Sequence, residues 1–165
     1  MLTSRVSSVA SILCTLALSL VLMPQQSVSS AAQQQEMPMQ SSSGEPVPAF
    51  HTHPPQGDLP VTMDLEQFTD PVVRNAYALA ARNKKLLYQQ PCYCHCDRSQ
   101  GHGSLHDCFV SKHGAGCEIC VKENFYTHEQ ARKGKTAAQI REGIERGEWQ
   151  SVDVSKYQKP LPATR

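Results

Sequence analysis

The chain has 165 residues, a formal net charge of +1, seven cysteines and only 6% aromatic residues. That near-neutral balance, without a basic stripe carrying interleaved aromatics, excludes a nucleic-acid-binding role. With an N-terminal segment and a polar stretch set aside, about 100 residues remain, enough for one small domain but a thin core without added staples.

Arg5, the apolar stretch from Val9 to Met23 and the small residues Val28-Ser29-Ser30-Ala31-Ala32 predict a signal peptide over residues 1–32. The apolar stretch is shorter than the roughly 20 residues that span a bilayer, so an uncleaved membrane anchor is the weaker alternative. Cys14 follows Ile12-Leu13 inside the apolar run, not a small residue at its end, and lipid attachment is not expected there. Residues 33–60 are rich in Gln, Ser, Pro and Met and read as a disordered linker, since they bury too little apolar area to offset the entropy of ordering. Met37, Met39, His51 and His53 in this linker are soft ligand types, but the simpler reading is a tail with incidental Met and His.

Residues 61–158 carry the helical signals, with 159–165 as a tail. Asp70-Pro71 predicts an N-cap followed by proline at the first helical position, opening a helix to about Gln89 that Pro91 ends. Its inward face is read as Val73, Tyr77, Ala80, Ala81, Lys84 and Leu87. Glycines at 101, 103, 114 and 116 bound a short helix from Ser104 to about Lys112, and a longer one runs from Cys117 to about Arg132. Thr136 caps a last helix with Ala137, Ala138, Ile140 and Ile144 inward and Trp149 closing the packing. Sustained strand-type alternation is missing, so the expected fold is all-α: a small helical domain around an irregular Cys/His-rich loop, preceded by the signal segment and linker.

That loop holds six cysteines and four histidines: Cys92, Cys94, His95, Cys96, His102, His106, Cys108, His113, Cys117 and Cys120. If Cys92 to Cys96 is extended, its three sulfurs share one side of the chain. Neighbouring Cys-x-Cys thiols pair only with strain, so this spacing suits thiolates bridging soft metal ions better than a disulfide ladder, although an oxidising compartment would favour disulfides. Cys117-Glu118-Ile119-Cys120 at a helix start would place two thiols on one face, where the dipole lowers thiol pKa. Of the histidines, His102 between glycines and His113 four residues before Cys117 are the best ligand candidates. Cys108, beside Phe109, is either a ligand or a buried apolar thiol. The candidate metal ligands are therefore Cys92, Cys94, Cys96, His102, Cys108, His113, Cys117 and Cys120. Haem attachment lacks its Cys-x-x-Cys-His, a zinc ribbon lacks a second Cys-x-x-Cys, and a cysteine protease would not cluster six thiols.

Pro91-Cys92-Tyr93-Cys94-His95-Cys96, with Gly101-His102, Ser104-Leu105, Asp107-Cys108-Phe109 and Cys117-Glu118-Ile119-Cys120 following in order, resembles the PCYCGC, or CYCxC, family of exported bacterial proteins over roughly Leu86 to Trp149. His95 departs from that pattern, standing where many members have glycine. The resemblance implies a periplasmic or extracellular protein, in other members often lipid-tethered. The resemblance extends to relatives with selenocysteine, which implies redox or soft-metal chemistry without deciding between them.

Three functions follow from these readings. The leading one is a binding protein, not an enzyme, holding a soft ion for sequestration, storage or delivery. Copper as Cu(I) is the first cofactor candidate, with zinc or an iron–sulfur cluster behind it, and a metal-trafficking or redox protein is the partner class. The alternatives are an extracytoplasmic thiol-disulfide oxidoreductase and a disulfide-stapled interaction module.

Overall fold

A computed structural model describes residues 45–161, and the expected signal segment, Met37, Met39 and the first part of the expected linker lie outside the described residues. Four α-helices are present: α1 Pro71–Leu87, α2 Cys96–Gln100, α3 Glu118–Arg132 and α4 Ala137–Glu145, joined by 3-10 turns and with no strand among the described residues. The all-α expectation holds.

α1 starts as its sequence dictates, with the Asp70 carboxylate accepting from the N–H groups of Val72 and Val73 at 2.8 and 3.0 Å. It ends at Leu87, before Pro91, and is kinked at Asn83, whose φ/ψ of −110°/15° is not helical. The buried face is Asn75, Ala76, Tyr77, Leu79, Ala80 and Leu87, whereas Ala81 is exposed and Val73 and Lys84 only half-buried. The predicted face was therefore rotated. Periodicity alone discards Asn75 as polar, yet its amide is buried and donates to the carbonyls of Tyr157 and Lys159 at 2.6 and 2.8 Å.

The helix expected over Ser104 to Lys112 is instead two 3-10 turns, Leu105–Phe109 and Lys112–Gly116. Ser111 between them is extended, and its hydroxyl accepts from the His113 N–H, ending one turn and capping the next. α3 begins at Glu118 with Cys117 as its N-cap residue. It is buried nearly all round: Asn124 donates to the Ala76 carbonyl of α1 at 2.7 Å, and Phe125 stacks on Tyr157 with ring centroids 3.6 Å apart. α4 carries the capping box of Thr136 and Gln139 and buries Ile140 and Ile144, while Ala138 is exposed.

The described part of the expected linker, residues 45–60, runs without helix or strand against this domain. The His51 ring stacks on Tyr88 with centroids 3.8 Å apart, the Arg141 guanidinium lies 4.4 Å from the Phe50 ring centre, and the Ala49 N–H donates to Asp97. His53 stays exposed.

Candidate metal centre

The centre is assembled from four short pieces of chain on the N-terminal end of α3. The first is fixed by Gln90, fully buried, whose carbonyl accepts from the Leu105 N–H at 2.9 Å and so ties the Pro91 segment to the Leu105–Phe109 turn. The chain does not run extended from Cys92 to Cys96, as its spacing suggested. It folds into a turn closed by the His95 N–H on the Cys92 carbonyl at 3.0 Å, and α2 starts at Cys96. His95 stands in the left-handed region at φ 56°. Glycine adopts that conformation freely, whereas a side chain there costs about 1–2 kcal/mol, which accounts for glycine in the family motif at this position. The His95 ring turns to the Glu45 carboxylate, 3.5 Å away.

A second piece, the Leu105–Phe109 turn, buries Cys108 completely. A third, Lys112–Gly116, closes over it because residue 114 is glycine: a Cβ there would sit 2.9 Å from the Cys108 carbonyl oxygen and 3.1 Å from the Phe109 ring. The fourth is the first turn of α3, which supplies Cys120.

The sulfurs converge. Cys92 lies 3.3 Å from Cys94 and 3.4 Å from Cys120, Cys94 lies 3.6 Å from Cys120, and Cys96 lies 3.3 Å from Cys108, all Sγ to Sγ. His102 Nδ1 stands 3.2 Å from the Cys96 sulfur and 3.4 Å from that of Cys108, and His113 Nε2 stands 3.9 Å from the Cys94 sulfur. Three overlapping groups of four have ligand atoms within 4.8 Å of one another: Cys92, Cys94, Cys96 and Cys108; Cys94, Cys108, His113 and Cys120; and Cys96, His102, Cys108 and His113. Each has the donor types and spacing of a candidate metal site.

Seven of the eight candidate ligands thus come together. Cys117, the eighth, belongs to none of these groups, and neither does His106, which is fully buried with Nδ1 3.4 Å from Asp107. The Cys117 thiol is shifted up rather than down, to about 12, with burial as the largest cause. Within the cluster the neighbouring thiols, Cys108 first, donate to Cys94 and Cys96 and lower their pKa, while Cys92 and Cys108 are raised and keep their protons. Burial, with His113 beside it, lowers the His102 pKa and so favours the neutral imidazole that ligates metal. Metal binding here must displace thiol protons to solvent.

Glu123 was not foreseen. It lies three residues after Cys120, hence on the same face of α3, and that spacing was the signal available in the sequence. Fully buried, it accepts from the Tyr93 N–H at 2.8 Å and lies beside the Cys92 thiol, pinning the Cys92–Cys94 turn from below. Burial raises its pKa well above the ordinary carboxyl range. Pro48 and Ala49 line one small cleft with Cys92, Cys96 and His102, while Cys94 and His113 remain half-buried at the accessible edge.

The profile of a family described as "protein of unknown function with PCYCGC motif" matches residues 15–162. This chain belongs to the PCYCGC family. No curated protein and no solved structure matches it. The PCYCGC motif itself, here with histidine in place of its glycine, supplies three of the five sulfurs of the centre, and the 108–120 region supplies the other two.

Proposed function

We propose that this protein binds a soft metal ion, copper as Cu(I) first, outside the cytoplasm, and serves in its sequestration, storage or delivery. The supporting observation is the convergence of five thiols and two imidazoles in overlapping groups of four. Thiolates select soft ions, and Cu(I) accepts irregular sulfur geometry of the kind that turns, not rigid helices, provide. Zinc, which prefers a closed tetrahedron, fits the all-sulfur group Cys92, Cys94, Cys96 and Cys108 as the second choice, and an iron–sulfur cluster would draw on the same four thiols. The half-buried edge at Cys94 and His113 would let a metal-trafficking partner reach the ion. Export rests on the N-terminal segment, and no helix among the described residues is long and apolar enough to cross a membrane.

The test is elemental analysis of protein purified from an exporting bacterium without chelators or thiols, with free thiols counted on the same sample. Copper near or above one ion per chain, with most thiols unoxidised, is the expected result. In the Cys94→Ser variant, metal affinity is expected to fall at least tenfold while helical circular dichroism is unchanged. Absence of metal in the wild type overturns the reading.

A second reading is favoured by Cys92 with Cys120 and Cys96 with Cys108, pairs close enough for thiol-disulfide exchange with small shifts. Metal-free protein that turns over a disulfide substrate would support an oxidoreductase, and fully oxidised, inert protein a stapled module.

A further inference from the structure

We infer that the centre holds not one Cu(I) ion but a bridged pair, with Cys108 and Cys94 as the shared thiolates. This rests on the copper reading above and concerns how many ions the site takes. The seven donors exceed the four that a single tetrahedral ion uses. They also do not separate into independent sites: Cys108 is common to all three groups, Cys94 to the first two, and Cys96 and His113 to two each. A thiolate sulfur has lone pairs enough to bind two ions at once, whereas one imidazole nitrogen has a single lone pair, so a group sharing only through sulfur is the one that can be doubly loaded. Two pairings meet that condition: the first and third groups overlap in Cys96 and Cys108 but leave Cys120 out, whereas the first and second, overlapping in Cys94 and Cys108, draw in all five thiols, with Cys92 and Cys96 completing one ion and Cys120 and His113 the other.

Charge points the same way. Buried thiolates are costly unless cations compensate them. One ion on the all-sulfur group would leave Cys120, 3.4 Å from Cys92 and 3.6 Å from Cys94, as a further buried thiol at the edge of the site without a metal of its own. Two ions sharing two sulfurs engage all five thiolates and lower the net negative charge per ion. Each bridging or terminal thiol gives its proton to solvent as the ions enter, and no oxidation state changes.

The test is anaerobic titration of the full, reduced chain with Cu(I) in competition with a chromogenic Cu(I) chelator. Ions per chain are counted by native mass spectrometry, and copper–copper scattering is read by X-ray absorption. Two ions taken up together, with the one-ion form a minor species and a copper–copper distance in the spectrum, are expected. A single ion without copper–copper scattering overturns the inference and leaves the copper reading standing; no retained copper overturns both. Cys108→Ser is expected to halve the stoichiometry and abolish the copper–copper feature. Cys94→Ser, at a half-buried position, is expected to do the same and serves if the first variant does not fold. Cys117→Ser, outside all three groups, is expected to keep both ions. Two bridged ions retained in the folded Cys108→Ser or Cys94→Ser variant would overturn the assignment.

Discussion

Neighbouring positions along α3 are put to opposite uses. Asn124 and Phe125 bind it to α1 and to the C-terminal turn through a short amide hydrogen bond and a stacked ring pair. Cys120 and Glu123 face the turns around Cys92, where five sulfurs crowd together and one backbone residue, His95, is held left-handed. The platform is ordered by capped helices and apolar burial, which need nothing from outside. The centre is made of turns: Leu105 and Phe109 anchor one of them in the core, whereas the Cys92–Cys94 turn leans on Glu123 and the Lys112–Gly116 turn on Gly114. Loss of metal is accordingly expected to loosen the centre while leaving α1, α3 and α4 in place.

Phe125→Ala strikes the platform and carries the largest expected effect, a loss of about 3–5 kcal/mol in denaturant unfolding of the metal-free protein. If the platform were itself metal-dependent, the metal-free wild type would already be unfolded and the variant would add nothing. Glu123→Ala strikes the centre: it frees the Tyr93 N–H and is expected to weaken metal binding by about 10- to 100-fold in chelator competition. Glu123→Gln, which keeps an acceptor for that N–H, should recover most of the affinity, and equal losses in both variants would mean that Tyr93 is not the link. The smallest effect is expected from His95→Gly, which relieves the left-handed side chain and should raise stability by no more than about 1 kcal/mol, offset in part by the entropy of glycine. Unchanged copper stoichiometry in that variant checks that His95 is not a ligand.

The sequence by itself determined α1, α3 and α4 and the composition of the centre, but neither α2 nor the 3-10 turns around Ser111. Asp70-Pro71 and the Thr136 capping box act within a single turn of chain, so their effect is visible locally. The PCYCGC motif likewise announced its own chemistry. The inward face of α1 was legible only in part, because hydrophobic periodicity cannot foresee that Asn75 is drawn inside by carbonyls more than eighty residues away. Only the tertiary structure decided which donors meet. Cys96 finds Cys108 and Cys92 finds Cys120 because Gln90, Gly114 and the start of α3 bring separate turns to one point, leaving Cys117 out and Glu123 beneath. Residue spacing fixes which side chains share a face of one element. Convergence across 12 to 28 residues is fixed by how elements pack, and no local pattern encodes it.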